Sequence, residues 1–228
     1  MAMVELNWIG HGTFQIEADG HRVLIDPFIT GNPAATQRAD DFDPETILVT
    51  HGHGDHVGDV IEIANRSGAT VYAIVELAAW FADQGLERAV GYNFGGTVEF
   101  PGGSAKLVPA VHTSTTPDGK VTTPAAGMVV RFGGKTIYFA GDTALFGDMA
   151  FIGEEGLDIA VLPIGDHFTM GPADAVKAVR LLKAPVIVPG HYNTFPAIAQ
   201  DVAAFAAEIA SNTSSRVEIF QPGETREL

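Results

Sequence analysis

Ile47-Leu48-Val49-Thr50-His51-Gly52-His53-Gly54-Asp55-His56-Val57-Gly58 is the stretch on which the reading of this chain turns. Its first four residues form a short apolar run of strand length, the pattern of a strand buried on both faces. Directly after it, three histidines and one aspartate fall within six positions, spaced by glycines. Glycine lets a backbone turn tightly, so side chains from successive positions can converge on one point. Imidazole and carboxylate are donors that suit zinc, manganese or iron. With eight histidines in 228 residues, three in six positions are not a chance grouping, and a merely solvated loop is the poorer explanation.

Four ligands do not fill two metal sites, and the chain offers three more, each directly after an apolar run of strand length. His112 follows residues 107–111, Asp142 follows 137–141, and His191 follows 186–190. A rigid strand delivers a ligand to one edge of a sheet, and the loop after it gives the side chain room to turn. Alone, each would read as an ordinary hydrogen-bonding loop residue; with the cluster they complete a set.

Around these positions the pattern predicts short strands early, then strands alternating with helices. Residues 13–17 and 22–26 read as a hairpin about Asp19-Gly20, and Gly133-Gly134 joins strands at 128–132 and 136–140. Further strands are expected at 4–9, 47–50, 70–74, 105–110, 158–162 and 186–188. Helices are expected at 60–65, 76–84, 172–182 and 197–209. No linker divides the chain, so residues 1–228 read as one domain of α/β (α+β) class, its sheets layered with helices outside.

Composition narrows the function. Hydrophobic residues make up 46 % and charged residues 18 %, which is globular rather than disordered. No apolar run approaches the ~18–20 residues of a membrane helix, and the first residues lack a signal-peptide pattern, so no membrane partner and a cytoplasmic location are the expectation. The absence of cysteine excludes disulfides, thiol nucleophiles and thiolate metal sites. Against 13 Lys+Arg stand 28 Asp+Glu, a net charge of −15 with no basic cluster, which disfavours nucleic acid as a partner.

The order His-x-His-x-Asp-His, a later His, Gly141-Asp142-Thr143 and a final His after a buried strand resembles the metallo-β-lactamase superfamily. The likeness covers essentially the whole chain. Trp8 to Phe14, Thr50 to Gly58, Leu162 to Asp166 and Gly190 to Thr194 are similar to a branch of small metal-dependent hydrolases related to ascorbate-phosphate lactonase. The resemblance implies a four-layered αββα sandwich, with two mixed β-sheets face to face and helices outside. It implies two divalent ions, Zn2+ first and Mn2+ or Fe2+ as alternatives. His51, His53 and His112 would hold one, Asp55, His56 and His191 the other, and Asp142 would bridge them. Asp55 and Asp142 are thereby the catalytic carboxylates, around a bridging hydroxide. Asp26, at a strand end, would fix a ligating histidine through its other ring nitrogen. Without cysteine the chain departs from the cysteine-containing β-lactamase pattern, so antibiotic hydrolysis is not its expected task.

Other residues are candidates of lower rank. His11, between two glycines, and Asp166, after a strand, are expected near the metal face. His167 is the weaker neighbour of Asp166, and His21 is expected to be solvated in a hairpin turn. Tyr192 and Asn193 follow a ligand and could touch substrate or cap the loop. The loops 27–44 and 113–125 would wall the pocket, with Arg38 and Lys120 as the cations available to an anionic substrate. The alanine-rich segment 201–210 could pack on this chain or on a second copy, which leaves a homo-oligomer open. The expected reaction is hydrolysis of a small-molecule ester, lactone or phosphodiester. The competing readings are a superfamily nuclease acting on RNA, and a non-hydrolytic redox or metal-binding protein.

Overall fold

The computed structural model describes residues 3–228. Alternation sets its first ribbon. In β2 (Thr13–Ala18) Phe14, Ile16 and Ala18 are buried while Gln15 and Glu17 are half-buried, the period of two that a sheet with one packed face requires. β2 pairs antiparallel with β1 (Glu5–Gly10) and with β3 (His21–Ile25). The sheet then continues in parallel through β4 (Thr46–Leu48), β5 (Thr70–Ile74) and β6 (Ala89–Tyr92). Strand β4 ends two residues short of the expected 47–50, because Thr50 has already turned to bond Asp26.

The second sheet repeats this plan. β7 (Thr97–Phe100), β8 (Gly103–Pro109), β9 (Ala126–Phe132) and β10 (Lys135–Phe139) pair antiparallel in sequence. β11 (Ile159–Pro163), β12 (Val186–Gly190) and β13 (Arg216–Val217) add in parallel. Gly133 and Gly134 join β9 to β10 with φ of 54° and 75°, the two left-handed residues that a tight hairpin turn demands. Finally β14 (Glu224–Glu227) returns to the first sheet and pairs antiparallel with β1, Glu5 opposite Glu227. Each sheet thus has seven strands.

Helices cover the outer faces, giving the expected layers of helix, sheet, sheet and helix. After the one-turn α1 (Gly54–Val57), α2 (Val60–Ser67) and α3 (Val75–Asp83) pack on the first sheet. On the second lie α4 (Met149–Gly153), α5 (Pro172–Leu182) and α6 (Val202–Asn212). Between the sheets the inner faces meet in one apolar core, where Phe14 and Phe139 lie 6.1 Å apart across the interface.

Two further sequence expectations change. The helix expected at 197–209 is a short 3-10 turn, Pro196–Ile198, followed by α6. Asp201 is what separates them: its carboxylate caps α6 by accepting from Ala204 N at 2.9 Å, which fixes the start of the helix after 201. That helix buries Phe205 and Ile209 and packs on α5 and β13 of this chain. Four strands, β6, β7, β13 and β14, were not expected at all, since their exposed and half-buried residues hide the alternation.

The long loop 27–44 is fastened to α2 from beneath. Asp59, 2 % exposed, accepts from Ile29 N at 2.6 Å and Thr30 N at 2.9 Å. Asp59→Ala strands two backbone donors and is expected to cost about 2 kcal/mol in urea unfolding, against a smaller loss for Asp59→Asn.

Candidate metal centre

Strand direction brings the candidate residues to one edge. β1, β3 and β4 run the same way in the first sheet, as do β8, β10, β11 and β12 in the second. His11, Asp26, the His51–His56 segment, His112, Asp142 and His191 each follow the C-terminal end of one of these strands. Among the described residues eight non-glycines have positive φ, and six of them, His11, Asp26, Asp166, His167, His191 and Asn193, lie at these strand ends. Such backbone costs roughly 1–2 kcal/mol per residue and persists only where the surroundings hold it.

Asp142 lies at the middle. It is 4 % exposed, and its Oδ2 lies 3.2 Å from His191 Nε2, 3.5 Å from His112 Nε2 and 3.9 Å from His51 Nε2. Its Oδ1 is 3.4 Å from His56 Nε2. The donor atoms fall into two close groups, His51 with His53 and His112, and Asp55 with His56, His191 and His11. A third grouping, Asp26 with His51 and His56, is spoken for, because the Asp26 oxygens already accept from Thr50 and His56.

The supporting bonds set the tautomers. Asp26 takes Thr50 N at 2.7 Å, the Thr50 hydroxyl at 2.5 Å and His56 Nδ1 at 2.8 Å. With its proton committed to Asp26, the Thr50 oxygen accepts from His51 Nδ1 at 3.0 Å. Both His51 and His56 therefore turn their Nε2 atoms inward. His51 Nε2 and His53 Nδ1 face each other at 3.0 Å. His56 Nε2, Asp142 Oδ1 and both ring nitrogens of His191 are buried without an aligned hydrogen bond, close enough for ion pairing but poorly directed. Buried polar atoms left so are costly, and divalent cations are what this set of imidazoles and carboxylates fits.

Electrostatics follow the same layout. Burial opposes charge on His56, but Asp142 and Asp26 outweigh it and hold its pKa well above the usual range. Burial alone would raise the carboxyl of Asp142; His191 and His56 outweigh it and hold it well below. Burial, joined by His56, keeps His51 neutral, and burial lowers His112 as well.

His11 does more than sit nearby. It is fully buried; burial lowers its pKa to about 4 despite the bond to Asp55. Nε2 lies 3.1 Å from Asp55 Oδ2 and Nδ1 lies 3.0 Å from Thr194 Oγ1. Its carbonyl accepts from His191 N at 2.9 Å and from Trp8 Nε1 at 3.0 Å. A Cβ on Gly12 would come 2.8 Å from His56 Cε1, so the same turn lets that ring in. The 10–12 turn thus braces Asp55, His56 and His191 together.

The remaining candidates make no hydrogen bond or ion pair with the centre among the described residues. Asp166 is exposed and shapes a tight turn, its N–H bonded to Met170 O, while His167 is exposed against Phe168. Asn193 braces its own loop by accepting from Gln200 N at 2.7 Å, and Tyr192 stacks on Trp8 at 5.2 Å. Lys120 and Arg38 are exposed and paired with Asp118 and Asp40. His21 is not simply solvated but bonds Glu45 at 2.8 Å. Sequence reading assigned no role to Thr50 or Thr194, nor to Ser114, whose hydroxyl accepts from Gly52 N at 3.0 Å. A hydroxyl residue beside a ligating histidine is the one signal that could have marked Thr50.

Residues 21–192 match the beta-lactamase superfamily domain. The chain belongs to this superfamily. A UPF0173 metal-dependent hydrolase of Thermus thermophilus is 48 % identical to this superfamily member over 226 residues, 99 % of this chain and 100 % of that protein. Another, from Methanopyrus kandleri, is 46 % identical over 230 residues, 98 % of this chain and 100 % of that one. The solved structure of Igni18, a metallo hydrolase from Ignicoccus hospitalis, has a TM-score of 0.91 and 37 % identity, covering 99 % of this chain and 98 % of that chain.

In the metal-free superfamily member, the charged His56 ring stabilises the fold fully below the unfolded pKa of about 6.5, and that contribution is lost as pH rises through the higher folded value. Asp142 has the opposite sign and loses its contribution as pH falls through its depressed value. An NMR titration of the ring nitrogens is expected to find His56 protonated above pH 6.5, and Asp26→Asn to move that transition to lower pH.

Proposed function

We propose that this metal-dependent hydrolase works through a dinuclear centre and cleaves a small ester, lactone or phosphodiester. One observation carries the reading: six donors from both sheets converge with the buried Asp142, and several inward nitrogens lack aligned partners. His51, His53 and His112 would hold one cation, Asp55, His56 and His191 the second, and Asp142 would lie between them. Zinc suits the donor set best, with manganese or iron next. Bound there, two divalent cations supply Lewis acidity, polarising the scissile carbonyl or phosphoryl group and making a water nucleophilic at neutral pH.

The chain's own residues prepare that chemistry. Asp26 and Thr50 hold His56 and His51 in the tautomers that leave Nε2 free. His11 holds Asp55, whose carboxyl it keeps, with His56, below its ordinary range against the burial that would raise it. Asp55 and Asp142 remain anionic and offset part of the cations' charge. Substrate meets the centre from outside. Behind the ligands lies a cavity of about 20 Å³, walled by Phe14, Ile25, Phe139 and Val161 and large enough for one water. His53, Asp55 and His112 are the members that solvent reaches. The net charge of −15, with no lysine or arginine bonded to the centre among the described residues, weighs against RNA as substrate.

Metal content of untagged protein, followed by assays of stripped and zinc-reconstituted samples on bis(p-nitrophenyl) phosphate and a simple lactone, tests the reading. Near two metals per chain with turnover that returns on reconstitution is expected; no metal uptake would end it. His53→Ala and Asp142→Asn are expected to keep the native circular dichroism and lose metal and activity. His11→Ala is expected to weaken uptake of the second metal equivalent by about 10–100-fold in a competitive chelator titration, leaving the first in place.

A further inference from the structure

From the rim of the centre we infer that the substrate is an uncharged carbonyl compound, a carboxylic ester or lactone, whose apolar substituent lies across Phe28, Phe195, Val111 and Phe168. This rests on the hydrolase reading above and narrows it.

Two aromatic rings stand against His11, the partner of Asp55. Phe195, 36 % exposed, and Phe28, partly buried, both meet the ring of His11 edge-on, with centroids at 5.6 Å and 5.8 Å. On the side of His112 stands Val111, 51 % exposed, whose N–H is bonded to Thr143 Oγ1 next to Asp142. Thr143 also accepts from Met170 N, which ties the 166–170 turn and its exposed Phe168 to the same place. Exposed apolar residues on three separate loops are therefore tied to His11 and Thr143, the immediate neighbours of Asp55 and Asp142, beside the three members that solvent reaches.

Charge points the same way. The cations offered by the neighbouring loops are occupied, Lys120 by Asp118 at 3.2 Å and Arg38 by Asp40 at 3.5 Å. No lysine or arginine forms an ion pair or hydrogen bond with a member of the centre among the described residues. A phosphodiester or polyanionic substrate would find no side-chain cation to anchor its remaining charge, whereas an apolar group gains from leaving water on this rim. Hydrolysis of such an ester adds water across the acyl C–O bond: the carbonyl carbon gains the hydroxyl oxygen, the alcohol leaves with the proton, and no redox partner is needed.

The test is a chain-length series on the zinc-loaded full-length protein, p-nitrophenyl acetate, butyrate and hexanoate, beside bis(p-nitrophenyl) phosphate. Full burial of a methylene is worth about fourfold in rate constant, so a half-exposed rim is expected to raise kcat/KM by roughly twofold per methylene. Phe195→Ala and Val111→Ala are expected to flatten that rise, while Phe151→Ala, an exposed phenylalanine on α4, keeps it. Ester turnover without a chain-length rise would overturn the inference and leave the hydrolase reading intact, as would turnover of the phosphodiester alone. Two bound metals with hydrolysis of neither class would overturn both. A dimer that dissociates in Phe195→Ala while the chain-length rise persists would make this face a contact between copies, and the inference would fall.

Discussion

A buried carboxylate surrounded by imidazoles is the constraint on which the rest of this molecule depends. Asp142 is almost wholly withdrawn from water, yet four ring nitrogens lie within 3.9 Å of its oxygens. Isolated, such a charge is costly to desolvate; the imidazoles offset the cost, and the chain in turn partners two of them and the residues beside them. Asp26 holds His56, Thr50 holds His51, and Thr194 holds His11, which in turn holds Asp55. The two sheets exist face to face so that strand ends from both can reach this point. Left-handed backbone at His11, Asp26 and His191 is where that reach is achieved against local preference.

Much of this arrangement could be read before the fold was seen. The His51–His56 cluster, and His112, Asp142 and His191 after apolar runs, carry their chemistry in residue type and position alone. Helix α5 was expected over its full span, since Ala175, Val176, Val179 and Leu182 repeat at helical spacing. The edge strands escaped notice for a physical reason: β6 shows solvent two consecutive residues, and β13 is only two residues long, too short for any period. The layering of two sheets came only through resemblance, because pairing between distant strands leaves no mark in local pattern. Asp201 misled the reading of the last helix, since Ile198 and Val202 keep helical spacing across a break that only a side-chain cap reveals.

Tolerance at the centre is unevenly distributed. The first group of ligands stands on the loop after β4 and the end of β8, and is supported by Thr50 and Ser114. The second depends on a single turn, residues 10–12, for one side-chain bond, one carbonyl and one close approach. A disturbance of that turn reaches three ligands at once, whereas most substitutions near the first group reach one.

Strand β1, which carries this turn, is completed on its outer side by β14, so residues 224–227 finish the sheet that residues 5–10 begin. Until β14 joins it, the outer side of β1 is an open edge. The brace of the second ligand group thus stands on a strand completed by the described element farthest from it in sequence, and until the two meet that edge is open to pairing with the wrong strand.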